Sequence, residues 1–177
     1  MAAAATIPYL SVDEYLRTTY QPDADYVDGH IEERNLGEYD HSDLQGILVT
    51  IFRTHQKQWG LKALPELRLQ TSATRFRVPD VTVLDVSKTR TAIIREAPML
   101  CIEILSPEDR WSRVQLRVQE YLSMGVPEVW AVDAELRKVT VLRKNGMQSE
   151  HASEILKLPN TGAEIDLAEV FAVLDEG

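Results

Sequence analysis

The sequence feature that most constrains the fold is an apolar run, MLCIEIL from Met99 to Leu105, which Glu103 alone interrupts. A short, nearly continuous apolar run of this kind is typical of a strand buried inside a sheet. Strand alternation puts Cys101, Glu103 and Leu105 on one face and Leu100, Ile102 and Ile104 on the other. Because an isolated carboxylate is costly to remove from water, the fold must give Glu103 a charged partner or a function.

Two explanations of Glu103 are open from the residues alone. In the first, an arginine of the following helix pairs with it, since Arg110, Arg113 and Arg117 share one side of that helix. Those three arginines also fit an ordinary solvated helix face. In the second, Glu103 is a metal ligand or an acid–base group, because a buried ion pair contributes little net stability.

The rest of the chain predicts a mixed sheet flanked by helices, of the α/β or α+β class. Ser11 and Glu14 match a capping box, Asp28-Gly29 marks a hairpin turn, and Gly60 ends a long amphipathic helix. We find no repeat or linker and expect a single domain over residues 1–177. The predicted elements are a short helix after Ser11, helices at 40–59, 112–124 and 165–174, a hairpin within 24–34, and strands within 61–64, 66–73, 75–78, 80–85, 97–106, 125–133 and 138–144.

Charge and composition narrow the classes of partner. Acidic residues outnumber basic ones by 28 to 19 and the net charge is -9, so the chain lacks a broad basic surface for nucleic acid. This counts against non-specific duplex binding, but it leaves open a local basic groove or a metal bridging acidic residues to a phosphate. The single cysteine, Cys101, excludes an intrachain disulfide. No apolar run reaches membrane-span length and the N-terminal segment makes a poor signal peptide, so we expect a cytoplasmic protein without a membrane partner.

Three further polar residues stand at the ends of predicted elements. Asp80 follows a proline at the start of a strand, Glu33 ends a hairpin strand, and His41 begins the long helix. Asp80 and His41 each have a structural explanation, as a turn residue and a helix-start residue. The functional explanation requires these residues to face the same cleft as Glu103. The sequence holds no glycine-rich phosphate loop, paired-cysteine zinc spacing or G-x-S-x-G motif.

Several stretches, taken in order, resemble a known protein family. They are YVDGHIEER, DHSDLQGIL, FRVPDVTVL, PMLCIEILSPED and EYLSMGVPEVWAVD, and the resemblance runs from about Tyr26 to Leu142. The pattern resembles the Uma-two family of bacterial restriction-endonuclease-like proteins, within the PD-(D/E)XK nuclease superfamily. The resemblance implies a restriction-endonuclease-like fold with a mixed central sheet flanked by helices, and hydrolysis of phosphodiester bonds in DNA.

The resemblance also implies a metal site and names its residues. Asp80 stands at the aspartate of the PD motif and Glu103 at the acidic position that follows. The backbone carbonyl of Ile104 is the implied third ligand to Mg²⁺, with Mn²⁺ as a substitute. Glu33 matches an upstream acidic residue of the family and His41 a histidine at the start of the long helix, as further catalytic residues.

The basic half of the implied site departs from the family pattern. The superfamily carries a lysine two residues after the acid, where this chain has Leu105. In the family that lysine sits on the next helix, four residues before a tyrosine, and Arg117 takes the place here, four before Tyr121. Arg113 likewise stands where the family has an aspartate. An arginine can bind and orient a phosphate, but its pKa, above about 12, prevents it from acting as a base.

Two hypotheses of function follow. The first is a Mg²⁺-dependent DNA endonuclease with Asp80, Glu103 and Glu33 in one cleft and Arg117 facing the phosphate. The second is a catalytically inactive protein on a nuclease fold, acting through partner binding or oligomerisation, in which an arginine of the next helix pairs with Glu103. Restriction-like enzymes often act on duplex DNA as dimers, so we expect a homodimer, with exposed strand edges or the apolar VWAV stretch at 129–132 as candidate interfaces.

Overall fold

The computed structural model describes residues 9–34 and 37–175. Residues 1–8, most of the N-terminal segment considered above as a signal peptide, lie outside the described residues. Within the described ranges, no helix combines the length and the apolar character that crossing a bilayer requires. The helices are α1 Val12–Arg17, α2 Tyr39–Thr54, α3 Gln56–Trp59, α4 Trp111–Met124 and α5 Leu167–Ala172, with 3₁₀ turns at Lys144–Gly146 and Val173–Asp175.

The strands form one large sheet and two small ones. They are β1 Asp25–Val27, β2 His30–Glu32, β3 Leu61–Pro65, β4 Leu69–Ser72, β5 Arg75–Arg77, β6 Val81–Asp85, β7 Leu100–Leu105, β8 Glu128–Asp133, β9 Lys138–Arg143, β10 Gln148–His151, β11 Ile155–Lys157 and β12 Glu164–Asp166. The central sheet has six strands in the order β10-β9-β8-β7-β6-β3. A second sheet has the order β2-β1-β5-β4, and β11 pairs with β12.

The central sheet is mixed and carries helices on both faces. β7 pairs parallel with β8 and antiparallel with β6. One face packs against α2 and α5 through residues such as Leu48 and Phe171, and the other packs against α4 through Val114 and Val118. The predicted fold class, a restriction-endonuclease-like mixed sheet flanked by helices, is therefore confirmed.

β7 is the buried central strand that the apolar run predicts. Leu100, Ile102 and Ile104 join the core on the α2 side, whereas Cys101 joins the core on the α4 side. Glu103 follows the alternation onto the α4 face and is only 4% exposed. Its carboxylate therefore depends on side chains of the protein, and not on water, for its hydrogen bonds.

The local signals near the N-terminus fold as predicted. Ser11 and Glu14 form the capping box that begins α1, with the Glu14 carboxylate accepting the Ser11 backbone N–H at 2.9 Å. Asp28 and Gly29, with φ angles of 47° and 93°, turn the chain between β1 and β2. Two consecutive positive φ angles match the twist of a two-residue hairpin, which is why the turn needs residues tolerant of that conformation.

The long helix predicted at 40–59 is interrupted. It is divided into α2 and α3 at His55, and Gly60 ends α3 with a φ of 67°. The His55 Nδ1 lies 3.0 Å from the Ile51 carbonyl oxygen and its ring stacks on Trp59. A side chain that bonds the carbonyl four residues earlier competes with the helical hydrogen bonds and bends the chain.

The last third of the chain departs further from prediction. The helix expected over 165–174 starts instead as β12 and becomes helical at Leu167, where the Asp166 side chain accepts the Ala168 N–H at 2.9 Å. Strands β10 and β11 are not predicted by the sequence pattern. The sequence of β10, QSEH, has no apolar residue, so its pairing with β9 depends on backbone hydrogen bonds that periodicity does not report.

The prediction that residues 129–132 form a dimer interface is wrong. These residues lie inside β8, between β7 and β9, and all four are buried in the fold. The strand is apolar because both faces of the sheet are covered by helices, which is the usual reason for a continuous apolar strand. The expectation of a homodimer stays a prediction without this surface.

Candidate active site

A polar cleft opens at the edge of the sheet where β6 begins and β7 ends. Asp80 directly precedes β6, and Glu103 lies near the end of β7. Since the two strands are antiparallel and Val81 pairs with Ile102, the sheet brings Asp80 and Glu103 to neighbouring positions. The cleft has a volume of about 450 Å³. Its other polar lining residues include Asp25, Glu33, Arg34, His41, Arg77, Asp109, Arg113 and Arg117.

The Asp80 carboxylate is buried and accepts hydrogen bonds on both oxygens. The Ile104 N–H donates to Oδ2 at 2.7 Å, and the Arg34 guanidinium donates to Oδ1. His41 Nε2 lies 3.4 Å from Oδ2. Burial by itself would raise the pKa of Asp80, but His41 and Arg34 outweigh it and hold that pKa below its usual value. Asp80 is therefore an anion at neutral pH.

The Glu103 carboxylate is held by α4. Arg117 Nε donates to Oε2 at 2.9 Å, and the Tyr121 hydroxyl donates to Oε1 at 2.6 Å. Burial raises the pKa of Glu103 to about 7, with the charge of Arg117 opposing the rise and Asp80 adding to it. The predicted ion pair with an arginine of the next helix is thus formed by Arg117, and it leaves the functional explanation of Glu103 open.

The two carboxylates differ in protonation although they share one cleft. The pKa of Asp80 is lowered, whereas that of Glu103 is raised to about 7. Active sites that move protons commonly hold two titratable groups whose surroundings push their pKa values apart. Here Arg34 and His41 produce one shift, and deep burial produces the other.

Four of the five predicted catalytic residues form two contacting pairs. His41 lies against Asp80, and Arg117 lies against Glu103. Burial lowers the pKa of His41, but the hydrogen bond to Asp80 and the Asp80 charge raise it above its usual value overall. Glu33 lines the cleft directly after β2 and is exposed at its rim.

A buried arginine on β5, Arg77, is absent from the sequence prediction. Its Nη1 donates to Asp25 at 2.9 Å and to Glu32 at 2.7 Å, and its Nε and Nη2 donate to Glu120 at 2.9 and 2.7 Å. The sequence carries little signal for this cluster, because Asp25 begins β1, Arg77 ends β5, and these short strands hold only two and one apolar residues. Once the fold buries both residues, the cost of burying a lone charge explains why they meet.

A second arginine, Arg34, is also missing from the prediction and has no sequence signal. It lies in the loop after β2, outside any periodic pattern. Its guanidinium reaches Asp80 and lies 3.5 Å from Glu66. These residues are far apart in the chain, so the contact is set by the tertiary fold alone.

The donor atoms in the cleft fit a magnesium ion. Carboxylate and carbonyl oxygens are the ligands that Mg²⁺ prefers, and it commonly takes one or two carboxylates and keeps several waters. Asp80 and Glu103 supply two carboxylates. An extended strand directs the N–H and C=O of one residue to the same side, so the Ile104 carbonyl points toward Asp80 as its N–H does. In residues 9–34 and 37–175 no three or more His, Cys, Asp or Glu side chains form a metal-binding group.

Two solved structures are similar to this chain to different extents. The crystal structure of a "putative nuclease belonging to DUF820" from Anabaena variabilis aligns with a TM-score of 0.82 and 24% identity, over 93% of this chain and 99% of that one. This similarity shows the fold. The cryoEM structure of a DrdV–DNA complex aligns with a TM-score of 0.38 and 14% identity, over 74% of this chain and 10% of that one.

Comparison at the level of families gives a match over almost the whole chain. A search of curated proteins gives no significant match. Residues 12–173, which include the hairpin, both helices around the cleft and all the central strands, match the Uma2 family, described as "Putative restriction endonuclease". The chain therefore belongs to the Uma2 family of restriction-endonuclease-like proteins.

Proposed function

We propose that the protein is a metal-dependent nuclease that hydrolyses phosphodiester bonds of DNA in the Asp80–Glu103 cleft. The observation that carries the proposal is the placement of these two carboxylates, on adjacent strands of a restriction-endonuclease-like sheet, at the mouth of one open polar cleft. Membership of the Uma2 family supports the same reaction class.

In this proposal Asp80, Glu103 and the Ile104 carbonyl hold the metal ion. When bound, such an ion polarises a phosphate oxygen and lowers the pKa of an attacking water. The low pKa of Asp80 keeps that ligand ionised at neutral pH. The Ile104 N–H fixes the direction of the Asp80 carboxylate, because it donates to Oδ2 from the rigid backbone of β7.

The basic residues of the cleft orient the phosphate and neutralise its charge. Arg117 is 20% exposed and lines the cleft, so its Nη groups, one of which lies 3.7 Å from Asp109, can face a bound phosphate while Nε stays on Glu103. Arg113 lies one turn earlier on the same side of α4 and also lines the cleft. The hydrogen bond and charge of Asp80 outweigh burial and raise the pKa of His41, which favours a protonated imidazole next to Asp80. Neither arginine accepts the proton of the attacking water, because an arginine cannot act as a base.

A cleavage assay tests the proposal. The full chain is incubated with fluorescently labelled duplex and single-stranded DNA of mixed sequence, with Mg²⁺ or Mn²⁺ and with EDTA. We expect cleavage that requires the metal and falls by about a hundredfold or more in Asp80→Asn and Glu103→Gln. Asp85→Asn is the matched control, because Asp85 ends the same strand and accepts hydrogen bonds from Ser87 away from the cleft. Wild-type protein that cuts neither DNA under any of these conditions would contradict the proposal.

One observation favours the second hypothesis, an inactive protein on the nuclease fold. All four carboxylate oxygens of the pair accept hydrogen bonds from the protein, from Arg34, the Ile104 N–H, Tyr121 and Arg117. Because each carboxylate oxygen of Asp80 and Glu103 has a hydrogen-bond donor from the protein, the two residues do not need a metal ion to be accommodated in the fold. If the protein neither cuts DNA nor binds Mn²⁺, this hypothesis replaces the first, and a search for protein partners or for oligomers by sedimentation becomes the next step.

A further inference from the structure

Arg34 is placed where a cation bound to Asp80 would lie. Its side chain is 15% exposed, and its guanidinium lines the cleft while it donates to Asp80 Oδ1. The charges of Asp80, Glu103, Asp25 and Glu66 all act on it, and together they raise its pKa against the opposing effect of burial. Arg34 is therefore the arginine of this acidic cluster that bonds Asp80.

A divalent ion and this guanidinium cannot both hold Asp80 in the same way. The Oδ2 atom of Asp80 already accepts the Ile104 N–H at 2.7 Å and lies near His41, so Oδ1 is the oxygen through which a cation gains most. Arg34 bonds that oxygen. Because Arg34 occupies Oδ1 itself, an ion that binds this oxygen must displace the guanidinium, and the repulsion between the two positive charges acts in the same direction.

Arg34 and the other arginine of the cleft, Arg117, differ in the element that carries them and in the exposure of their second partner. Arg117 belongs to the helix α4, bonds Glu103 at 2.9 Å and lies 3.7 Å from Asp109, a side chain that is 15% exposed. Arg34 belongs to a loop, and its second contact is a 3.5 Å approach to Glu66, a side chain that is 53% exposed. Arg34 at Asp80 is therefore the arginine that a divalent ion can replace, whereas Arg117 stays at Glu103.

We propose that Arg34 is a resident cation that shields Asp80 and must be displaced before a divalent ion binds, so that it sets the affinity of the centre for the ion. The inference rests on the proposed function, because it requires that Asp80 and Glu103 bind a divalent ion. It adds that the bond between Arg34 and Asp80 weakens the binding of the ion to the wild-type centre.

Titration with Mn²⁺ tests this proposal without any measurement of cleavage. Electron paramagnetic resonance follows the loss of the signal of free Mn²⁺ as it binds to the full chain. We expect Arg34→Gln to bind Mn²⁺ about tenfold to a hundredfold more tightly than wild type, since a hydrogen bond to a charged group no longer has to be broken. Arg34→Lys keeps the charge, so its affinity should stay closer to wild type than to Arg34→Gln.

Two further variants separate the causes of a change. Arg53→Gln removes the same charge from an exposed position on α2, and we expect its affinity to equal that of wild type. The double variant Arg34→Gln with Asp80→Asn should lose the gained affinity. Circular dichroism and thermal melting establish that each variant is folded.

The outcomes distinguish this proposal from the proposed function. Equal affinities of wild type and Arg34→Gln, both lost in Asp80→Asn, would overturn the role of Arg34 and leave the metal site standing. A gain in Arg34→Gln that Arg53→Gln shares would also overturn it, because the cause would then be net charge. Absence of Mn²⁺ binding in every variant would overturn both, and cleavage by the wild type with Mg²⁺ would then have to be explained by another site.

Discussion

Two clusters of buried charge lie side by side in this protein, and they differ in how their charges are paired. In the first, Arg77 is 3% exposed and is bonded to Asp25, Glu32 and Glu120. In the second, Asp80 and Glu103 are equally buried at 4%, and each is bonded to its own arginine, Arg34 or Arg117, in the cleft that Arg77 also lines.

The comparison shows that a buried charge is not by itself a sign of function. Arg77 places one guanidinium among three carboxylates from β1, β2 and α4, and so ties the small sheet to the helix. Such a cluster is costly to break, because every side-chain nitrogen of Arg77 is bonded to a carboxylate, although Arg77, Asp25 and Glu32 also line the cleft. The Asp80–Glu103 cluster divides its charges into two separate pairs around a space, and that division is what allows a ligand to enter.

The largest effect should come from breaking the Arg77 cluster, called the closed cluster below. Arg77→Met leaves Asp25 buried without its cation, so we expect the free energy of unfolding to fall by about 3–5 kcal/mol. Urea denaturation followed by circular dichroism measures it. The matched variant is Arg75→Met, whose side chain is 40% exposed on the same strand and should cost about 1 kcal/mol or less. If Arg77→Met and Arg75→Met lower the free energy of unfolding by similar amounts, the Arg77 cluster does not stabilise the fold as described.

In the Asp80–Glu103 cluster, called the open cluster below, we expect a substitution to lower the rate of cleavage more clearly than the stability of the fold. Arg117→Met removes the guanidinium that faces the phosphate, and we expect kcat to fall about a hundredfold to a thousandfold. Arg117→Lys keeps a charge without the planar fork and should recover part of that loss. Single-turnover cleavage kinetics provide the comparison. Wild-type rates in Arg117→Met would remove this residue from the proposed mechanism.

Glu103 and Glu120, one carboxylate from each cluster, should shift stability with pH in opposite directions. The pKa of Glu103 is raised from 4.5 to about 7, so the folded protein keeps a proton that the unfolded chain loses in this window. Its contribution is present below pH 4.5 and is lost as the pH rises to 7, by about 3 kcal/mol at most. Urea denaturation of wild type and Glu103→Gln at several pH values in EDTA isolates the part of the pH dependence of the free energy of unfolding that Glu103 contributes.

Glu120, in the closed cluster, should give the reverse. Burial opposes the shift, but the hydrogen bond and charge of Arg77 lower the pKa of Glu120 below 4.5. Its contribution to stability is therefore present above pH 4.5 and is lost as the pH falls through the lowered value. If wild type and Glu120→Gln show the same dependence on pH from 3 to 5, the assignment of Glu120 to Arg77 is wrong.

The smallest effect concerns the rim of the open cluster. Arg110 precedes α4 and is exposed. Arg110→Gln should weaken DNA binding by about 1 kcal/mol or less and reduce its dependence on salt, with kcat unchanged. Fluorescence anisotropy at several salt concentrations measures this. A large loss would show that the phosphate path runs further along the helix than the cleft does.

The sequence predicts the fold better than it predicts the charge pairing. The alternation in MLCIEIL places Glu103 on the face of α4, and the helical spacing of Val114, Val118 and Tyr121 places that helix against it, because periodicity reports burial directly. Arg34 could not be predicted. It meets Asp80 across 46 positions of chain, and no local pattern encodes which arginine reaches a given carboxylate.

The most direct test of the central claim is a crystal structure of the full chain soaked in Mn²⁺, read from the anomalous difference map. We expect one peak in the cleft, about 2.1–2.2 Å from oxygens of Asp80 and Glu103, with the Arg34 guanidinium turned away from Asp80. A map without a peak there at a concentration of Mn²⁺ that supports cleavage, with Arg34 still bonded to Asp80, would contradict the assignment of this cleft as the metal-dependent nuclease centre.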